Sequence, residues 1–197
     1  MIARRVRVAC LGLLLSSAVI ADEHVLALDP DGTEIRFRLG ATFHSVEGTA
    51  RLVGGTIRFD PDAGTASGEI VVDARSLETG NARRDRVMHG KVLESEAFPE
   101  IVFVPERFEG SLADGGVSQA DLHGELRLHG TVHPLVIAAE ILAQDNGVSA
   151  TARFSVPYVA LGLKDPSKLV LRVAKEAEVE IRFSAAFQGS SVGRAPD

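Results

Sequence analysis

Leu122-His123-Gly124-Glu125-Leu126-Arg127-Leu128-His129 is the stretch whose reading decides the fold. Leu122, Gly124, Leu126 and Leu128 fall on one side of an extended chain, and His123, Glu125, Arg127 and His129 on the other. Successive side chains of a strand point to opposite faces, so this period of two describes a strand with one dry face and one wet face.

The same period recurs in both directions along the chain. Upstream, Ile35, Phe37 and Leu39 alternate with Glu34, Arg36 and Arg38. Residues 46–59 form a Gly-broken run ending Ile57-Arg58-Phe59, followed by Asp60-Pro61-Asp62-Ala63-Gly64. That pentapeptide is a turn, because Pro fixes φ and Gly admits positive φ. Ala66, Gly68, Ile70 and Val72 then share a face, and another run starts at Ile101 and Phe103 and reaches Phe108. Downstream come Leu135 to Leu142, then Val148, Ala150, Ala152, Phe154 and Val156. The last run sets Ala177, Val179, Ile181, Phe183 and Ala185 against Glu178, Glu180 and Arg182, making eight in all.

Two stretches break the pattern. Residues 79–94 carry helix formers, with Thr79 or Asn81 as the N-cap, and predict a short helical segment. Residues 157–174 are mixed, and Asp165-Pro166 suits the start of one helical turn.

Eight short antiparallel runs predict an all-β domain, either a sandwich or a closed barrel. Gly68, Gly124, Ala150 and Ala152 on the apolar face favour a barrel with a cavity, because small side chains do not fill an interior. The competing reading is that the glycines relieve strain at bulges or bends.

The chain ends are read separately. Arg4, Arg5 and Arg7 precede an uncharged run of 13 residues, Val8 to Ile20. Val19-Ile20-Ala21 then offers a cleavage site before Asp22. This is signal-peptide anatomy over 1–21, with export as the expectation. The run falls short of the roughly 20 residues that span a bilayer. The barrel domain is expected over 24–188, with a disordered tail at 189–197. The lone cysteine, Cys10, leaves with the leader, so neither a disulfide nor a thiolate site is expected in the mature chain. Loss of the three arginines takes the formal charge from −6 to −9. An acidic chain whose densest basic run, Arg83-Arg84-Asp85-Arg86, holds its own counter-charge is a poor nucleic-acid binder.

Catalytic and metal chemistry find little support. His123 and His129 share a strand face but lie about 20 Å apart at ~3.3 Å per residue, too far to grip one ion. His129 and His133 span a Gly-containing turn rather than a helix. No Gly-x-Ser-x-Gly, His-Glu-x-x-His, P-loop or Gly-x-Gly-x-x-Gly appears. No metal or other cofactor is expected.

Four motifs, in order, resemble the YceI-like, polyisoprenoid-binding family. They are His44-Ser45-Val46-Glu47-Gly48; Arg75-Ser76-Leu77-Glu78-Thr79-Gly80-Asn81 with Arg84-Asp85; Phe98-Pro99-Glu100-Ile101-Val102-Phe103; and Gly124 to Thr131 followed by His133-Pro134. The resemblance runs from about Val25 to Phe187. The segment 157–174, with Tyr158, Gly162 and Asp165-Pro166-Ser167, follows only a variant of the family pattern.

The resemblance implies an eight-stranded antiparallel lipocalin-like barrel, a periplasmic location, and a tunnel holding an isoprenoid or similar long-chain lipid. It implies no catalysis. No later segment is a transmembrane candidate, so no stable membrane insertion is expected, and a second copy of the chain is a candidate partner. Nine phenylalanines and no tryptophan suit such a tunnel, since large apolar walls then carry no indole N–H needing a partner. Phe37, Phe59, Phe103, Phe154 and Phe183 are the candidate lining, although each equally suits a packed core. Phe43, Leu77, Met88, Leu93 and Phe98 are expected around the mouth. Arg84 is a candidate for a polar head group, against the reading that Arg84 and Asp85 merely anchor residues 79–94. His44 and Tyr158 complete the candidate ligand contacts. Two other functions stay open. One is an isomerase or hydrolase of such a lipid using His44, Asp85 or Tyr158. The other is a solidly packed interaction barrel.

Overall fold

The computed structural model describes residues 23–42, 44–113, 116–144, 146–167 and 172–188. The expected leader, Phe43 and the 189–197 tail lie outside the described residues. The alternating runs become β2 (Thr33–Gly40), β3 (Ser45–Asp60), β4 (Thr65–Glu78), β5 (Glu100–Gly110), β6 (Val117–Leu128), β7 (Thr131–Gln144), β8 (Gly147–Val156) and β9 (Ala177–Ala186). A further strand, β1 (His24–Leu28), precedes them. All pairs are antiparallel, in the order β3-β2-β9-β8-β7-β6-β5-β4, and β4 pairs back onto β3. The sheet therefore closes into an eight-stranded barrel, which removes the free edges an open sheet would expose.

The extra strand does not add a ninth stave. β1 pairs with the far half of β3, from His24 opposite Phe59 to Leu28 opposite Gly55. β2 pairs with the near half, from Ile35 opposite Ala50 to Gly40 opposite Ser45. The two form one stave broken by a turn, in which Asp29 Oδ1 accepts from Asp31 N at 3.1 Å. Five residues are too few for the alternation of β1 to stand out in the sequence.

The two ends of the barrel differ. At one end, the floor, β3 gives way to β4, β5 ends and β6 begins, and β7 ends and β8 begins. The other end, the mouth, carries the β2–β3 and β6–β7 turns and the two long connections, 79–99 and the described parts, 157–167 and 172–176, of the second. In the first long connection, α1 (Ala82–Val87) runs into a π-helical segment, Met88–Leu93. Asn81 is the N-cap: its side chain accepts from Arg83 N and Arg84 N at 3.1 and 3.2 Å. Of the helical turn expected at Asp165-Pro166, the described residues reach only Ser167, and residues 168–171 lie outside them. Asp165 Oδ1 accepts from Ser167 N at 2.9 Å, an Asx turn.

The interior stacks in three tiers. The floor tier includes Leu26, Leu28, Ile57, Phe59, Phe108 and Val148. Phe59 stacks on Phe108 at 4.9 Å and lies 5.3 Å from the ring of His24, which in turn sits 5.1 Å from Phe187. The middle tier centres on Phe103, Ile137 and Ala152. The mouth tier joins Leu126 and Leu128 of β6 to Tyr158 and Leu163 of the second long connection, with Val92 and Leu93 against them.

The glycines of the apolar face divide the two readings offered by the sequence. A Cβ on Gly124 would fall 2.2 Å from the Val104 carbonyl oxygen and 2.9 Å from Phe103 Cζ. A Cβ on Gly68, whose φ is +117°, would fall 2.0 Å from the Thr56 carbonyl oxygen. Both glycines serve close backbone approach beside irregular pairings with β5, and neither opens the lumen.

Candidate functional site

The lumen wall is the first element of the site. Ile70, Val72, Phe154, Val179, Ile181 and Phe183 face inward by the alternation of their strands and pack on the core tiers. Each remains half-buried, unlike Phe59 at 4% or Phe103 at 5% exposure. Inward-facing side chains of a solidly packed barrel would be buried at this height, so this part of the inner wall retains free surface.

The candidate lining residues separate by tier. Phe59 and Phe108 close the floor, whereas Phe103 and Phe154 stand at mid-height. Phe37 of β2 lies across Gly48 of β3; a Cβ there would sit 2.2 Å from Phe37 Cζ. Of the expected mouth group, Leu93 packs into the mouth tier. Phe98 packs over the β6–β7 turn, 4.2 Å from the His129 ring and against Gly130. Met88 is half-buried at the start of the π-helical segment, and Leu77 is half-buried on β4. His44 is exposed in the β2–β3 turn, where its carbonyl accepts from Ala41 N at 2.9 Å.

Arg84 and Asp85 converge on one threonine. Arg84 Nε donates to Thr79 Oγ1 at 2.7 Å and an Nη donates to the Thr79 carbonyl at 3.0 Å. Asp85 Oδ1 accepts from Thr79 N at 3.1 Å and from the Thr79 hydroxyl. The pair anchors α1 to the end of β4, and the Arg84 guanidinium is engaged within the protein.

A second lock went unnoticed in the sequence. His89 Nε2 donates to the Leu77 carbonyl at 2.9 Å, because a carbonyl can only accept. Its Nδ1 therefore accepts from Ser95 Oγ at 3.0 Å, and Ser95 is 3% exposed. The π-helical segment is thus pinned to β4 through one imidazole.

Tyr158 closes the mouth tier from the other connection. It is 7% exposed, and its hydroxyl donates to the Ala174 carbonyl at 2.7 Å. Burial, with the Asp165 carboxylate as a second cause, pushes its phenol up to about 12. Such a group is a poor proton donor or acceptor at neutral pH.

Two surface depressions complete the description. One, of about 430 Å³, is lined by Glu34, Glu140, Thr151 and Arg182 together with Ala150 and Phe183. The other, of about 320 Å³, lies at the mouth between the π-helical segment, the β6–β7 turn and the second long connection. Val92 belongs both to this cleft and to the mouth tier.

Glu109, Asp121 and His123 gather on the outer face of β5 and β6. Arg107 sits among them, donating to His123 Nδ1 at 2.8 Å and pairing with Glu109. His123 Nε2 meets Glu109 at 3.2 Å, so both ring nitrogens are in use and the donor set does not suit a cation. Among the described residues, no helix is long and apolar enough to cross a membrane.

The YceI-like domain family model matches residues 26–187. Among curated relatives, a UPF0312 protein of Pseudomonas fluorescens is 31% identical over 145 residues, covering 67% of this chain and 72% of that protein. A UPF0312 protein of Vibrio vulnificus is 29% identical over 137 residues, covering 67% and 70%. Among solved structures, Burkholderia cenocepacia BcnA superposes with a TM-score of 0.65 at 17% identity, covering 80% of this chain and 99% of that one. A polyisoprenoid binding domain from Saccharophagus degradans, implicated in plant cell wall breakdown, superposes at 0.60 with 14% identity, covering 83% and 98%. These structures share the barrel. A closed eight-stranded barrel, a short helical segment over its mouth and a match across nearly the whole described chain identify this protein as a member of the YceI-like domain family.

Proposed function

We propose that this protein is a periplasmic binding or carrier protein that holds the apolar chain of an isoprenoid or similar long-chain lipid in its barrel. The observation that carries this reading is the half-buried inner wall at mid-height, between a closed floor and an apolar cover over the mouth. Burial of apolar surface contributes roughly 25 cal/mol per Å², so a lipid tail covering a few hundred Å² of wall gains several kcal/mol. Val92, Leu93, Tyr158 and Leu163 pack together at the mouth and extend the apolar surface that a tail would meet there. The likeness to a solved polyisoprenoid binding domain supports the ligand class, and the leader pattern of three arginines followed by an uncharged run supports export. The polar candidates favour holding over transforming: Asp85 is bound to Thr79, Tyr158 to Ala174, and His44 is exposed outside the lumen.

The test is native mass spectrometry of protein isolated from its own periplasm, with saturable binding of a fluorescent prenyl probe to delipidated protein. A co-purifying lipid and stoichiometric probe binding are expected. A ligand-free protein without saturable binding would overturn the reading and leave a packed interaction barrel.

A further inference from the structure

The barrel closes in strand order, but the β7–β8 seam is zipped over only part of its length. β7 and β8 pair from Gln144 opposite Gly147 to Ala138 opposite Arg153, and the pairing stops there. Both strands run on towards the mouth. β7 continues to Thr131 on its β6 partner, and β8 continues through Phe154, Ser155 and Val156 on its β9 partner. Among the described residues, no backbone hydrogen bond joins 131–137 to β8 or to the connection that follows it. Pro134 sits in the middle of this stretch, and a proline is tolerated in a strand where its nitrogen faces an unpaired edge. Both faces of the unzipped stretch are apolar. Inward, Leu135 packs on the middle and mouth tiers and Phe154, across the seam, on the middle tier; both are half-buried. Outward, Val132 is 53% and Val136 46% exposed, with Pro134 exposed between them. The wet face of an antiparallel strand is ordinarily polar, as Glu178, Glu180 and Arg182 make it on β9.

We propose that the open part of the β7–β8 seam is a side entrance to the lumen, and that its outer lip, Val132, Pro134 and Val136, docks on a lipid bilayer. The proposal rests on the carrier reading above. Three observations select a bilayer over a protein partner. The lip is continuous through the seam with the half-buried inner wall at Leu135 and Phe154, so a tail passing from bilayer to lumen stays on apolar surface. Pro134 removes a donor from the middle of the edge, which opposes pairing with a strand from a peptide or a second copy. The charges beside the lip cancel: Arg127 lies opposite Val132 and Glu125 opposite Pro134, while Asp121 and Arg153 flank Ala138 on its two sides. Contact is therefore driven by apolar burial and withstands salt. Docking to head-group depth keeps water at the unpaired backbone groups, which hydrocarbon would not.

The test is transfer of a fluorescent prenyl probe from phosphatidylcholine vesicles to delipidated protein isolated as above. Val132→Asp/Val136→Asp is set beside the control Val53→Asp/Val117→Asp. All four valines are exposed, so both variants are expected to fold, and their melting temperatures check it. Val53 belongs to β3, four strands from β7 and so on the opposite side of the barrel. The lip variant is expected to take up the probe about tenfold more slowly, the scale of burying the remaining half of two valine side chains. Its equilibrium affinity for the probe without vesicles is unchanged, and so are both quantities in the control. Unchanged transfer in the lip variant, or equal slowing in the control, would overturn the docking lip and leave the carrier reading standing. A second readout locates the contact. A fluorophore is placed at Val136→Cys, Lys164→Cys or Val53→Cys, each in a Cys10→Ser background, and mixed with vesicles of brominated lipid. Quenching at position 136 is expected; quenching at 164 alone would move the entrance to the mouth and overturn the seam. A wild-type dimer that the lip variant dissociates, with transfer unchanged, would make a second copy the occupant of the lip. Absence of probe binding with and without vesicles would overturn the carrier reading and the entrance together.

Discussion

Replacing Gly124 by alanine tests whether the family-like glycine of β6 serves backbone packing or an empty lumen. The new methyl group would lie 2.2 Å from the Val104 carbonyl oxygen and 2.9 Å from both Phe103 Cζ and Pro105 Cα. Two of these atoms are backbone, and Phe103 and Pro105 are buried, so no flexible side-chain end can yield. Relief requires β5 to move away from β6 at the Pro105–Arg107 irregularity. Overpacking of this kind costs about 3 kcal/mol, at the upper end of the usual range. Alanine restricts the unfolded chain and returns about 0.7 kcal/mol. The net loss is then about 2 kcal/mol, or about 4–8 °C in melting temperature for a domain of this size. Gly54→Ala is the control, because its Cβ would meet nothing within 4 Å and its φ lies outside the left-handed region. That variant should match the wild type or gain up to about 1 kcal/mol. The assay is urea and thermal unfolding of both variants, followed by circular dichroism. A Gly124→Ala protein within about 0.5 kcal/mol of wild type, the scatter of ordinary surface substitutions, would refute the close-approach argument and restore the glycine to the lumen.

Two further outcomes follow from the mouth. His89→Ala should destabilise the fold by about 2 kcal/mol, since it strands the buried Ser95 hydroxyl and releases the Leu77 carbonyl. Hydrogen exchange should quicken across residues 82–95 first, and uniform exchange along the chain would contradict the lock. Tyr158→Phe should cost about 1 kcal/mol through the lost bond to Ala174. Its folded pKa lies above the unfolded one, so the stabilisation is complete below pH 10 and is lost as pH rises from 10 towards about 12. A stability curve measured over that window should therefore fall less steeply in the variant, and identical slopes would contradict the assignment.

The strands were legible because each carries a long dry face; Leu122 to Leu128 reads as a strand without any partner in view. Closure was not legible, because it depends on β4 returning to β3, a pairing that local alternation does not encode. β1 escaped notice for the same reason: its place is set by the far half of β3, not by its own five residues. The helical segment was visible in composition and its Asn81 cap in residue type. The π-helical continuation and the His89 lock were not, since they rest on contacts with Leu77 and Ser95 on either side. Arg84 shows the sharper limit. Its residue type suits an anion, but only the structure reveals that Thr79 already holds it.

Gln188 N donates to the Val25 carbonyl at 2.8 Å, and Leu26 bridges to Phe187. Both ends of the described chain therefore leave together from the floor. A tether, a purification tag or a surface linkage attached through either end would orient the barrel with its mouth turned outward. Immobilised in that way, the protein would keep its mouth clear of the support, and the two ends of the described chain could be joined to each other without disturbing a strand.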